Sequence, residues 1–146
     1  MNSDPTPRPR YARVSIVCVR DGRLLGFFGE DPVTAQRLFF LPGGKPEPDE
    51  SMAEAGRRET LEETGHSVRP RPETERIVDY EIIWGGQPWP CTTHFFLAEH
   101  EADPSAELVL DDASYHRGVA WIPVTHLDEH LGFSPEILDA VRSLLA

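Results

Sequence analysis

The sequence predicts an α/β fold, a sandwich of helices around a mixed β-sheet, and three observations predict it. Short β-branched and aromatic runs separated by turn signals recur along the chain, as half-buried strands do. One sharply bounded helical segment follows Ser51. A second, with apolar residues at helical spacing, follows Ser134.

The elements follow in order. Residues 1–10 hold three prolines and predict a disordered leader, leaving residues 11–146 as a single folded domain. Tyr11 to Arg20 is β-branched and apolar, and Asp21-Gly22 turns it into a hairpin partner at Leu24 to Gly29. Glu30 to Arg37 predicts an exposed loop, and Leu38 to Leu41 a short strand delivering Pro42-Gly43-Gly44. Ser51 and Glu54 make a capping box that starts a helix, and Gly65 stops it. The prolines and charges from Val68 to Ile77 predict a surface crossing without a regular element. Ile77 to Trp84 and Cys91 to Glu99 predict strands joined through Gly85-Gly86-Gln87-Pro88, and Gly118 to Val124 another, ended by Pro123. Ser134 as N-cap and Pro135 at the first position open a last helix, whose Ile137, Leu138, Val141, Leu144 and Leu145 should pack on the sheet.

Composition narrows the function. A chain of 146 residues suits one domain, and 14 basic against 25 acidic residues give a net charge of −11, which excludes a large nucleic-acid-binding surface. Cys18 and Cys91 lack metal-ligand spacing and read as reduced core residues. No signal-peptide core and no membrane-length apolar run is present, so a cytoplasmic location without membrane contact is expected.

The first helix carries the chemistry. At about 100° per residue, Glu59, Glu62 and Glu63 fall within an arc of roughly 100°. Carboxylates so placed repel one another, and they sit where the partial negative end of the helix would prefer cations. A solvated acidic face is the plain explanation. A divalent cation is the other, since Mg²⁺ favours carboxylate oxygens and shares its remaining positions with water and phosphates. Met52, Ala55 and Gly56 project near the same direction and leave mostly small surface there for a loop or substrate to approach. Arg58, with its rigid fork of donors, can orient Glu50 or Glu62.

The spacing of Gly44, Glu50, Arg58, Glu59, Glu62, Glu63 and Gly65 resembles the Nudix box of the Nudix hydrolases, running from Gly44 to His66. Thr60 and His66 depart from it, where the family pattern asks for bulky aliphatics. The resemblance implies the Nudix fold, an α/β/α sandwich. It also implies Mg²⁺-dependent hydrolysis of a nucleoside diphosphate linked to another group, with Mn²⁺ able to substitute. Carried over, Glu59, Glu62, Glu63 and the Gly44 carbonyl are metal ligands, Arg58 orients the glutamates, and Glu50 is its partner. The general base is Glu62 or Glu63, or an acid on a later loop, for which Asp111, Asp112, Glu99, Glu101, Asp103 and Glu107 are candidates.

The partner is then a small nucleotide rather than a nucleic acid polymer, acted on by a monomer or homodimer. Phe28, Phe39, Phe40, Tyr80, Trp84 and Trp89 are candidate platforms for a nucleobase, Trp84 and Trp89 foremost, and Arg37, Arg13, Arg23 and His94 are candidates to reach phosphates. A nucleoside triphosphate, damaged or not, giving monophosphate and pyrophosphate is the leading substrate, with nucleotide sugars and dinucleoside polyphosphates behind it. Two other classes remain: a nucleotide-binding module that lost its chemistry, which would usually have lost a box glutamate, and an isoprenoid diphosphate isomerase, which needs a catalytic cysteine.

Overall fold

The computed structural model describes residues 9–105, 108, 110 and 114–146. Its strands are β1 (Tyr11–Arg20), β2 (Arg23–Glu30), β3 (Arg37–Phe40), β4 (Gly43–Gly44), β5 (Ser67–Pro70), β6 (Arg76–Trp84), β7 (Gln87–Ala102) and β8 (His116–Pro123). The helices are α1 (Met52–Thr64), α2 (Leu127–Leu131) and α3 (Pro135–Leu145).

β1 and β7 run parallel, in register from Tyr11 opposite Cys91 to Cys18 opposite Ala98, and every other pairing is antiparallel. The sheet is therefore mixed. β1 serves several neighbours along its length: β7 first, β4 at Val14 and Ser15, then β2 at Val19 and Arg20. β7 is long enough to hold β6 on its first half and β5 on its second.

Each face of the sheet carries its own apolar layer. Under α1 lie Val14, Ile16, Cys18, Leu25, Val68, Phe96 and Ala98, joined by Ala55 of the helix. The other face buries Val17, Leu24, Phe39, Tyr80, Phe95 and Ile122 beneath α2 and α3, which contribute Leu127, Leu131, Ile137, Leu138 and Val141. The result is an α/β/α sandwich. Ser134 caps α3 by accepting from the Ile137 amide at 3.3 Å, and Leu144 and Leu145 pack against the same layer. Cys18 and Cys91 are free and buried, and burial pushes the Cys18 thiol up to about 11, where it is inert.

Several expectations are corrected. Residues 67–70 form β5, paired antiparallel with β7, and a 3-10 turn follows at Pro72–Thr74. Pro70 ends its strand at the edge of the sheet, where a missing amide costs little. The connection between β6 and β7 is a two-residue turn, with Trp84 opposite Gln87 and Gly85 and Gly86 at φ 64° and 74°, values that side chains on Cβ resist. Arg10, assigned to the leader, is held by the sheet: its Nη1 donates to the Cys91 carbonyl at 2.8 Å.

Asp31 ties the loop after β2 to that turn. Its carboxylate is 4% exposed and accepts from Val33, Thr34 and Gly85 amides at 2.8, 3.1 and 2.7 Å. These amides outweigh the burial penalty and hold the carboxyl below its ordinary range. Asp31→Ala should lower the midpoint of urea unfolding, because three amides lose a charged acceptor, and Asp31→Asn should lower it less.

Candidate active site

α1 can display carboxylates because its opposite face is secured. Ala55, Gly56 and Thr60 are buried. A Cβ on Gly56 would stand 2.5 Å from Ile16 Cδ1, so the small residues serve close approach to β1 and do not leave open surface for a substrate. Thr60, where an aliphatic was expected, donates its hydroxyl to the Gly56 carbonyl at 2.7 Å, and a polar group is thereby tolerated in the core. Ser51 accepts from the Glu54 amide at 3.1 Å, and Gly65 closes the helix at φ 78°.

Arg58 gathers the acids of the box. Its Nε and Nη2 grip Glu50 through both oxygens, at 2.8 and 2.9 Å. Nη1 reaches Glu59 at 3.0 Å and Glu62 at 3.2 Å, while Nη2 also donates to the Lys45 carbonyl at 3.1 Å. Arg58 is thus a strap between the glycine loop and the helix. The Glu50 bond raises the guanidinium pKa further, and Arg58, with the Glu47 amide, holds the Glu50 carboxyl below its usual range.

Glu63 is turned elsewhere. It accepts from the Gly43 amide at 2.8 Å, and burial, aided by the Glu59 charge, pushes its carboxyl up to about 8. Burial raises Glu59 too, against the pull of Arg58. A Cβ on Gly44 would lie 2.7 Å from the Glu59 carboxyl carbon, so only glycine lets this loop sit against that carboxylate. Oxygen donors short of positive charge beside a bare backbone suit a hard divalent cation. Glu59, Glu62, Glu63 and the glycine-loop carbonyls are the groups that could hold it.

A cavity of about 430 Å³ opens beside them, lined by Tyr11, Arg13, Phe27, Phe40, Gly43, Glu63, Trp84, Trp89 and Tyr115 among others. Trp84 and Trp89 meet there, with the Trp89 indole donating to the Trp84 carbonyl at 3.0 Å. Phe28 does not reach it. On the opposite face of β2 from Phe27, it packs edge-on to Phe39 and His130. Arg37 is exposed and pairs with Glu30 at 3.2 Å, away from the cavity, and His94 is engaged by Glu75 at 2.9 Å. Arg23 is likewise not among the lining residues.

Among the described residues, the one buried side-chain nitrogen or oxygen with no hydrogen-bond partner is Arg13 Nε. Burial opposes the charge of Arg13, but Tyr80, Tyr11 and Glu63 outweigh it. Strand parity could have singled out Arg13, since Tyr11 and Arg13 share one face of β1. Phe40 is among the aromatic residues that the sequence offers as platforms, whereas Phe27 and Tyr115 are not, and Phe27 belongs to an adjacent pair, Phe27-Phe28, with no alternation to read.

The acids expected on a later loop are placed in part. Glu99 pairs with Arg69, Glu101 with Arg57 and Asp103 with Arg20. Glu107, Asp111 and Asp112 lie outside the described residues.

The Glu63 shift has a signed consequence for stability. Between the ordinary 4.5 and about 8, the folded state keeps a proton that the unfolded chain has released. Stability without metal therefore falls as pH rises through that window. Glu63→Gln removes the titration, so in chelator its pH-dependent unfolding should show a smaller decline than the parent; parallel curves would reject the shift.

The NUDIX domain family model matches residues 9–142. No curated protein matches the sequence. Among solved structures, a NUDIX hydrolase from Nitrosomonas europaea is similar at 23% identity and TM-score 0.69, over 92% of this chain and 87% of that one. The MutT protein of Methanosarcina mazei Go1 is similar at 20% identity and TM-score 0.66, over 95% and 96%. A C. elegans Ap4A hydrolase is similar at 18% identity and TM-score 0.67, over 92% and 94%. At these identities the structures establish the shared fold, and the family match over nearly the whole chain establishes more: this protein belongs to the Nudix family and is a pyrophosphohydrolase.

Proposed function

We propose that the protein hydrolyses a nucleoside triphosphate to monophosphate and pyrophosphate with Mg²⁺, which Mn²⁺ can replace. The observation that carries this reading is that Glu63 of the box and Gly43, just before it, line the same cavity as the Trp84, Trp89, Phe27 and Phe40 rings. A base stacked between aromatic walls brings its phosphates to the carboxylates. Arg13 lines the cavity and its charge acts on Glu63, so it offsets negative charge there.

Glu59, Glu62, Glu63 and the Gly44 carbonyl would hold the ion, and Arg58, anchored on Glu50, fixes the directions of Glu59 and Glu62. A divalent ion bound there neutralises phosphate charge and makes water more acidic. Glu63 takes the proton from the attacking water, since it lines the cavity while Glu62 is exposed and tied to Arg58.

The fold also occurs in proteins described as Ap4A hydrolase, UDP-X diphosphatase and ADP compounds hydrolase, so dinucleoside polyphosphates and nucleotide sugars are the competing substrates. Purified protein with Mg²⁺ should therefore be assayed against triphosphates, both competing classes and coenzyme A. Triphosphates should give the highest kcat/KM; a faster competitor replaces the substrate, and silence across the panel indicates a binding module. Glu62→Gln and Glu63→Gln should each lower kcat by about 10²–10⁴-fold with thermal unfolding still cooperative. Arg13→Met and Trp84→Ala should act chiefly on KM.

A further inference from the structure

A second group of donors lies away from the cavity, just past the end of α1. His66 follows the Gly65 cap at a position where the Nudix pattern asks for an aliphatic, yet it is only 7% exposed. The β5–β7 ladder pairs Ser67 with Ala102 and, across a register shift, Val68 with His100. That register brings His66 to the level of Asp103 and beside His100. His66 Nδ1 lies 3.0 Å from His100 Nε2, and Asp103 Oδ1 lies 3.6 Å from the first and 3.5 Å from the second.

These three distances close a triangle. Around a tetrahedral ion with bonds of about 2.0–2.1 Å, ligand atoms stand about 3.3–3.4 Å apart, and the three edges straddle that value. Each residue contributes one ligand atom, and His66, His100 and Asp103 are the only such group of three among the described residues. The box glutamates, spread by Arg58 and the Gly43 amide, make no comparable cluster. Trp121 holds the two imidazoles from below, edge-on, with ring centroids 5.2 Å from His66 and 5.7 Å from His100.

We propose that His66, His100 and Asp103 form a second metal site, chemically distinct from the Nudix box, for a transition ion of the Zn²⁺ type. Two imidazoles and one carboxylate suit Zn²⁺, whereas Mg²⁺ prefers oxygen alone. Asp103 is 69% exposed, so the fourth position is open to water. Arg20 is the group that the ion displaces. Its Nη1 lies 2.8 Å from Asp103 Oδ1 and 3.3 Å from both His100 nitrogens. A point equidistant from the two nitrogens is aligned with neither lone pair, and the 3.0 Å contact between His66 Nδ1 and His100 Nε2 is a hydrogen bond whose proton the ion would replace. The guanidinium also rests on the Trp121 ring at 4.5 Å and can keep that contact while it turns away from Asp103. An ion here would clamp the end of α1 to β7, and thereby steady the helix that carries Glu62 and Glu63.

Metal-free protein titrated with Co²⁺ tests the proposal. One equivalent should produce the intense visible absorption of tetrahedral cobalt with nitrogen ligands, and Zn²⁺ should abolish it. Glu63→Gln should leave these bands in place. His66→Leu, which restores the family's aliphatic, and Asp103→Asn, on an exposed residue, should each weaken Zn²⁺ binding by at least the roughly 100-fold that loss of an outer-shell partner can cost. Because Asp103 is exposed, Asp103→Asn decides the matter even if His66→Leu fails to fold. Absence of bands in the parent, or parent-like Zn²⁺ binding in Asp103→Asn, overturns the site.

Discussion

Arg58 is the constraint around which the box is organised. A helix that carries three carboxylates in its last two turns works against both their mutual repulsion and the helix dipole. Arg58 answers both at once, by spreading one guanidinium over Glu50, Glu59 and Glu62 and the Lys45 carbonyl. Its side chain is 24% exposed and that of Glu50 only 14%, so this pairing is less screened than a surface ion pair. A lysine could supply the charge but not five donors in a fixed plane. The glycine loop and the helix therefore hold a common geometry before any ligand arrives.

The same constraint leaves Glu63 only partly compensated, since Arg58 makes no bond to it and Arg13 acts on it by charge alone. Its partner is the Gly43 amide, a dipole in place of a charge, and burial then dominates its protonation. In the function proposed above, this is where an ion does the most, at the border between the oxygen donors and the aromatic cavity. It also bears on the net charge of −11, which repels a polyphosphate at long range. Arg13 in the cavity and Lys45, whose ammonium sits 4.6 Å from the centre of the Tyr11 ring, would offset part of that charge together with a bound ion.

Elements with local signals were legible in the sequence. Ser51 and Gly65 bounded α1 because capping is a matter of nearest neighbours, and Ser134-Pro135 did the same for α3. β5 was not legible, because Arg69 and Pro70 fit a loop and their strand geometry comes from β7, thirty residues away in sequence. The site divides in the same way. Spacing along one helix singles out the acids and Arg58 as candidates, while the cavity depends on which face of each strand turns inward. Phe27 lines its wall and Phe28, one residue on, lies on the opposite side of the sheet.

Thr60 and His66 show what a departure from a family pattern can mean. Both replace an aliphatic by a polar group, and both are buried. Thr60 satisfies its hydroxyl four residues back on its own helix, so the change is absorbed locally. An imidazole just beyond the helix end has no such recourse, and its Nδ1 finds His100 and Asp103, at the register that the β5–β7 ladder imposes. A buried polar substitution satisfied within its own turn carries little information about function. One that recruits converging donors from elsewhere in the chain has reorganised its surroundings, and those donors then define a site of their own.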